Sequence, residues 1–312
     1  MMNDQFPDIL YHYCSVPTFF NIMKNHSIWL SDISKSNDSQ ELNWATEKFK
    51  EFYRLTWFNY VREVAKEKGL SEEDLQKFER IKTILDAYLC DDICKYWVFC
   101  LSEKADDIGQ WRGYADDGRG LAIGFDCFPF EAIDAEFSDT NHSFDFCFRK
   151  VGYGEKAIAD YFDMMTAQME ISSETAPDVV LSRILTSAEL IIDSASWFKN
   201  AGFESEKEWR LIYKKLIVDL HKNKLPSFPD ELSKLAKIFS FGSFGYIPKN
   251  ADLVSHVELK TTVMGKLIKE IIIGPKCLVT ESEIYTFLIS CGIIKSKPEC
   301  EIKIRKSEST YR

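Results

Sequence analysis

The sequence predicts an α+β fold, with a central mixed or antiparallel sheet carrying helical insertions. Three observations point there. Short stretches with a period of two, such as Trp209, Leu211 and Tyr213 against Glu208, Arg210 and Ile212, recur along the chain as half-buried strands. Two stretches, 41–95 and 155–199, instead carry charged amphipathic patterns of helical period. No internal repeat, low-complexity linker or sharp composition change divides the chain. It is therefore expected to be one domain over 1–312, with a helical insertion at 41–95, a helical segment at 155–199 and a C-terminal strand–helix–strand block at 252–312.

The first strand is expected at 9–14, where Leu10, His12 and Cys14 share one face and Ile9, Tyr11 and Tyr13 the other. Ser15 then has the chemistry of an N-cap, with Pro17 in the first turn of a short helix striped by Phe19, Ile22 and Met23. A second strand follows at 27–32, and a polar loop carries Asn37-Asp38. The insertion contains a helix start at Ser71-Glu72-Glu73-Asp74, where a cap and acidic residues oppose the dipole. The almost wholly apolar run 96–102 suits the centre of a sheet. A polar loop with Asp106-Asp107 leads through Gln110-Trp111-Arg112-Gly113-Tyr114 to the tight turn Asp117-Gly118-Arg119-Gly120 and a strand at 121–126.

Strand character at 144–153 precedes helices at about 155–170 and 178–199. The run Glu206-Lys207-Glu208-Trp209-Arg210 enters the next strand, so period two places Glu206, Glu208 and Arg210 on one face. Beyond it a helix is expected at 229–239 and a loop at 242–248. Strands at 253–259, 268–273 and 300–304 and a helix at 281–291 complete the chain.

Composition bounds the function. The chain has 312 residues, 45% of them hydrophobic, and a formal net charge of −10. That is enough apolar material for a sizeable core. Without a long basic run, non-specific DNA binding is not expected, because few phosphates would be neutralised. No run is long and apolar enough for a signal peptide or membrane span, and the nine cysteines are scattered, so a cytoplasmic protein with reduced thiols is expected.

Several chemistries fail on spacing. Gly118, Gly120 and Gly124 imitate a dinucleotide fingerprint but lead into a strand, where no helix N-terminus would receive pyrophosphate. Cys90 and Cys94, with Cys100 nearby, lack a fourth ligand and the spacing of a zinc site, so no metal is assigned. Ser205 stands where an Asp…Glu-x-Lys nuclease needs a carboxylate, although Asp38, Glu41 and Glu208 would hold Mg²⁺ if the fold assembled them. No nucleophile elbow is present.

The blocks Leu10-Tyr11-His12-Tyr13-Cys14-Ser15, Asn37-Asp38, Ser102 with Gln110-Trp111-Arg112-Gly113-Tyr114, 120–126, Phe198-Lys199, Glu206-Lys207-Glu208-Trp209-Arg210 and Ile273-Gly274-Pro275 resemble a large bacterial domain-of-unknown-function family. More weakly, Tyr11-His12-Tyr13-x-Ser15, a short helix and a strand holding Ser31, with the late Glu206-x-Glu208, are similar to ADP-ribosyltransferases. That resemblance implies NAD as substrate and an ADP-ribosyltransferase-like core. It implies that His12 holds the adenosine ribose, Glu208 stabilises an oxocarbenium-like transition state and Glu206 orients or deprotonates the acceptor, a protein or nucleic acid. A toxin or phage-defence effector would fit it.

The residue types suit that chemistry. A fixed carboxylate in a dry cleft stabilises positive charge building on a sugar. Tyr13, Trp29, Trp111 or Tyr114 would supply an aromatic wall for nicotinamide, and Arg112, Arg119 or Arg210 a cation for pyrophosphate. The expected site thus comprises Glu208, Glu206 and His12, with Tyr13, Ser15, Ser31, Trp111, Arg112, Tyr114 and Arg210 binding NAD. Two other readings stand beside it. One is a non-enzymatic ligand-sensing or interaction module in which Arg210 merely neutralises Glu208; the other is the metal-dependent nuclease.

Overall fold

The computed structural model describes residues 6–35, 41–52, 58–69, 94–132, 146–168, 194–217, 238–249 and 252–311, with single positions or short runs at 71–73, 76, 80, 83, 179, 182, 183 and 219. Asn37 and Asp38, Cys90, and most of the predicted helices at 178–199 and 229–239 lie outside the described residues.

The architecture is mixed α/β with one large, mostly antiparallel sheet. Strand β1 (Ile9–Cys14) is followed by helix α1 (Val16–Asn25), which Ser15 caps through its hydroxyl, with Pro17 in the first turn. His26 closes α1 in the left-handed region, φ 49°, and the chain turns straight into β2 (Ser27–Asp32). Helices α2 (Glu41–Phe52) and α3 (Phe58–Glu67) come from the charged insertion. Strand β3 (Cys94–Ser102) follows, then α4 (Ile108–Tyr114) and β4 (Leu121–Asp126).

The middle of the chain forms β5 (Phe146–Lys150), β6 (Gly152–Tyr153), α5 (Gly154–Gln168), β7 (Phe198–Lys199) and β8 (Glu208–Leu216). The last third forms β9 (Phe239–Lys249), β10 (Asp252–Thr261), the single turn α6 (Met264–Leu267), β11 (Ile268–Ile273), α7 (Glu281–Ser290) and β12 (Lys303–Lys306).

The main sheet runs β12-β11-β4-β1-β3-β2-β10-β9, and β8 joins it through β3 while also pairing β5. Among the described residues, only the β11–β12 pair within it is parallel. Strand β3 is the hub. Its register with β8 is unbroken from Cys94↔Leu216 to Ser102↔Glu208. Its remaining edge is shared, with β1 meeting it at Ser102 and β2 at Trp97 and Val98. Between those points the sheet splits.

Side-chain alternation separates two faces. Leu10, Trp97, Phe99, Leu101, Ile123, Trp209, Leu211 and Tyr213 point into the main core. Tyr13, Ala122 and Ile272 pack with Trp111 of α4 on the opposite face, where Val98 and Ile212 also lie. The alternation predicted for β1 and β8 is thus the one that packing uses.

Four predicted elements differ. The stretch 110–114, expected as loop, is helical in α4 because Asp107, itself extended, accepts the Gln110 amide at 3.1 Å as an N-cap. The loop expected at 242–248 is the centre of β9. Its glycines sit close under neighbouring side chains: a Cβ on Gly242 would stand 2.3 Å from a Glu258 carboxylate oxygen, and one on Gly245 3.0 Å from the His256 ring. Where the predicted helix 178–199 was expected to end, the chain instead forms a 3₁₀ turn (Ala195–Trp197) and β7. Glu206 is not on a strand at all. It closes a 3₁₀ segment (Ala201–Glu206), and Lys207 at φ 47° reverses the chain before β8 starts at Glu208.

Candidate functional site

A cavity of about 430 Å³ opens on the face of the sheet away from the main core. Its floor is made by Tyr11 and Tyr13 of β1, Val98, Cys100 and Ser102 of β3, and Glu208 and Arg210 of β8. Its walls come from Gly109, Gln110, Gly113 and Tyr114 of α4, from Phe203 and Glu206 of the 3₁₀ segment, and from Lys199 of β7. The size and the mixture of aromatic walls with a few convergent polar groups are those of a small-molecule site.

The charged centre is a chain of ion pairs. Arg210 Nε donates to Glu208 Oε1 at 2.8 Å and Nη2 donates to Oε2 at 3.2 Å. Arg210 Nη1 also donates to the Ser196 carbonyl at 2.9 Å. Lys199 Nζ bridges the two carboxylates, 3.1 Å from Glu208 Oε2 and 2.7 Å from Glu206 Oε2. Tyr114 donates its phenol to Glu206 Oε1 at 2.7 Å.

Glu208, Arg210 and Lys199 are 5%, 2% and 3% exposed, so each charge depends on its partners. Burial alone would raise the Glu208 carboxyl, but the charges of Arg210 and Lys199 outweigh it and hold the group down at about 2. Burial, together with the Glu208 charge, pushes the Cys100 thiol well above its ordinary range, so it stays protonated.

Glu206 is fixed from three directions. Besides Lys199 and Tyr114, the Ser102 hydroxyl donates to its backbone carbonyl at 2.6 Å. The Glu103 amide donates to the Lys207 carbonyl at 3.0 Å, clamping the 3₁₀ segment to the end of β3. The Glu208 amide donates to the Tyr153 phenol oxygen at 2.8 Å, which anchors the start of β8 to β6.

His12 lies at the split in the sheet. Nδ1 is 2.9 Å from the Cys100 carbonyl, which can only accept, so the proton is on Nδ1 and Nε2 is a bare acceptor. The ring stacks on Phe99 with centroids 4.3 Å apart. Its depth in the molecule disfavours the imidazolium and lowers its pKa to about 4, although the carbonyl contact opposes the shift. Nε2 has no protein partner among the described residues, and the residue borders the cavity.

The structure therefore brings Glu206, Glu208, His12, Tyr13, Tyr114 and Arg210 to one cavity and leaves four expected residues elsewhere. Ser15 is occupied in capping α1. Ser31 is exposed on β2, opposite His256. Trp111 is fully buried, its indole N–H donating to Asp106 at 2.6 Å and its ring edge-on to Tyr13, so it supports the wall rather than forming it. Arg112 is exposed on the far side of α4, with its guanidinium 6.0 Å from the Tyr311 ring. Nor do the other candidates line the cavity. Trp29 stacks on His256 at 4.1 Å, and Arg119 pairs with Asp116.

Lys199, Gln110, Ser102 and Phe203 were not singled out as site residues. Lys199 carried the clearest available signal, a lone cation between apolar Phe198 and Asn200 just before an acidic stretch, but only the fold sets it between two carboxylates. Among the described residues no group of three or more His, Cys, Asp or Glu could hold a metal ion. The Mg²⁺ cluster considered above includes Asp38, which lies outside the described residues. No helix among the described residues is long and apolar enough to cross a membrane.

Fold and cavity together define an α/β protein with a charged, aromatic-walled cavity on one face of a split sheet. Residues 110–211 match the model of a family described as "Protein of unknown function (DUF2971)". The match covers the stretch from Gln110 through β8 to Leu211, and so Lys199, Glu206, Glu208 and Arg210; β1 with His12 lies outside it. It bears out the recognition of a domain-of-unknown-function family and does not extend to the ADP-ribosyltransferase resemblance. No match was found among curated proteins or among solved structures.

Proposed function

We propose that the cavity binds the nicotinamide–ribose half of NAD and that the protein cleaves the bond between them, passing ADP-ribose to a macromolecular acceptor or to water. The observation that carries this reading is the convergence of Glu206 and Glu208 with Tyr13 of β1 and Tyr114 of α4, segments distant in sequence, on one aromatic-lined cavity. Heterolysis sends the C1′–N bonding pair to nicotinamide and leaves positive charge on the ribose. A carboxylate kept ionised in a poorly hydrated cavity stabilises that charge. An acceptor O–H or N–H then adds to C1′ and gives its proton to a carboxylate. Tyr13, Tyr114 and Phe203 supply flat apolar surface for the pyridinium. The cations that line the cavity, Lys199 and Arg210, are both held by carboxylates, so the reading is confined to the nicotinamide–ribose half of NAD.

The bidentate pairing of Arg210 with Glu208 favours the second reading, a ligand-sensing module that binds without turnover. One experiment separates them. The purified protein is titrated with NAD calorimetrically and assayed for nicotinamide release with protein and nucleic-acid acceptors, alongside Glu206→Gln/Glu208→Gln. Binding with release that the double variant abolishes is the expected result. Binding without release supports the module, and neither binding nor release rejects NAD.

A further inference from the structure

The two carboxylates of the cavity are not equivalent. A carboxylate offers about four acceptor sites. Three of those of Glu208 are taken, two by nitrogens of Arg210 and one by Lys199. Among the described residues Glu206 accepts one hydrogen bond at each oxygen, from Tyr114 and from Lys199, and so keeps two sites open. Its side chain is 14% exposed, against 7% for Glu208. Its backbone is latched by Ser102 and clamped through Lys207, which gives the fixed aim that a group facing a reacting atom needs.

We infer that Glu206 is the carboxylate that faces the reacting sugar, while Glu208 is a positioning residue that acts on it through Lys199. This rests on the reading of the cavity as an NAD site, and it inverts the roles that the resemblance to ADP-ribosyltransferases implies for Glu206 and Glu208. Glu208 with Arg210 forms a buried neutral pair that fixes the Lys199 ammonium, and Lys199 with Tyr114 fixes Glu206. On cleavage the positive charge develops in front of Glu206. When the acceptor adds to C1′, its proton passes to an open lone pair of Glu206, which needs no rearrangement of the ion pairs behind it.

The test uses the full chain in two parts. Carbodiimide coupling of glycine ethyl ester, followed by peptide mass spectrometry, reads carboxylate accessibility in the wild type without any variant. Glu206 is expected to label and to be protected by NAD, and Glu208 to stay unlabelled until the protein unfolds. In kinetics, Glu206→Gln should lower kcat at least 100-fold with KM changed less than threefold. Lys199→Met should lower kcat and displace the acidic limb of its pH profile, which Lys199→Arg should restore. Labelling of Glu208 as fast as Glu206, or wild-type nicotinamide release that survives Glu206→Gln, would overturn the assignment alone. A wild type that neither releases nicotinamide nor shows NAD protection at Glu206 would overturn the NAD reading and the assignment together.

Discussion

At the scale of the residue, Glu208 shows how a buried charge is tolerated. Its carboxyl is held at about 2 against an ordinary 4.5, a difference linked to about 3 kcal/mol of folding stability. Because the folded value lies below the unfolded one, that contribution is complete above pH 4.5 and disappears as pH falls toward about 2. Glu208→Gln removes it and leaves Arg210 and Lys199 under-compensated in a dry site, so a loss of about 3–5 kcal/mol is expected at neutral pH. Urea unfolding of the two proteins at neutral pH and at acid pH checks this. The gap between them should narrow as pH falls below 4.5. A gap independent of pH would mean that the damage is steric rather than electrostatic.

At the scale of the element, the turn into β4 carries a constraint that hydropathy does not reveal. Asp116, Asp117 and Gly118 all have positive φ, at 50°, 55° and 82°. A Cβ on Gly120 would lie 2.1 Å from the Cys14 carbonyl oxygen and 3.0 Å from that of Ala115. Both are backbone atoms that cannot rotate away. Gly274 is packed in the same cluster, 2.5 Å from the Gly118 carbonyl for a Cβ placed there, and its amide donates to the Gly120 carbonyl at 3.0 Å. Gly120→Ala is therefore expected to cost at least about 2 kcal/mol through forced separation of β1 from the turn, seen as a lower denaturation midpoint. Gly113, with open space around its Cβ position, is the internal control, and Gly113→Ala should be neutral or mildly stabilising.

At the scale of the whole molecule, the decisive feature is the split on the edge of β3. The wing β1-β4-β11-β12 and the wing β2-β10-β9 meet there, and His12 supplies the hydrogen bond that the Cys100 carbonyl would otherwise lack. Its folded pKa of about 4 lies below the ordinary 6.5, so its contribution is complete above pH 6.5 and lost as pH falls toward about 4. His12→Gln retains a donor for Cys100 but does not titrate. Its thermal midpoint should vary less than that of the wild type over that interval, and equal slopes would show that the imidazole is not held neutral.

The alternation of β1 and β8, the cap at Ser15, the pure apolar run of β3 and the glycine-led entry to β4 were all legible in the sequence, because each follows from local periodicity or backbone chemistry. So was the pairing of Glu208 with Arg210, two residues apart on one strand face. Position in space was not. Local pattern placed Glu206 on the strand, whereas Lys207 in the left-handed region takes it off the strand and Lys199 returns its carboxylate to the same cluster. Trp111 and Tyr114 look alike as aromatics of one stretch, but one turn of α4 sends the first into the core and the second to the cavity. The sequence by itself determined β1, β3, β4 and the body of β8 as strands and which of their side chains share a face. Only the tertiary structure decided which charges meet and which carboxylate keeps more acceptor sites open, because those depend on contacts between segments that the chain's local preferences do not encode.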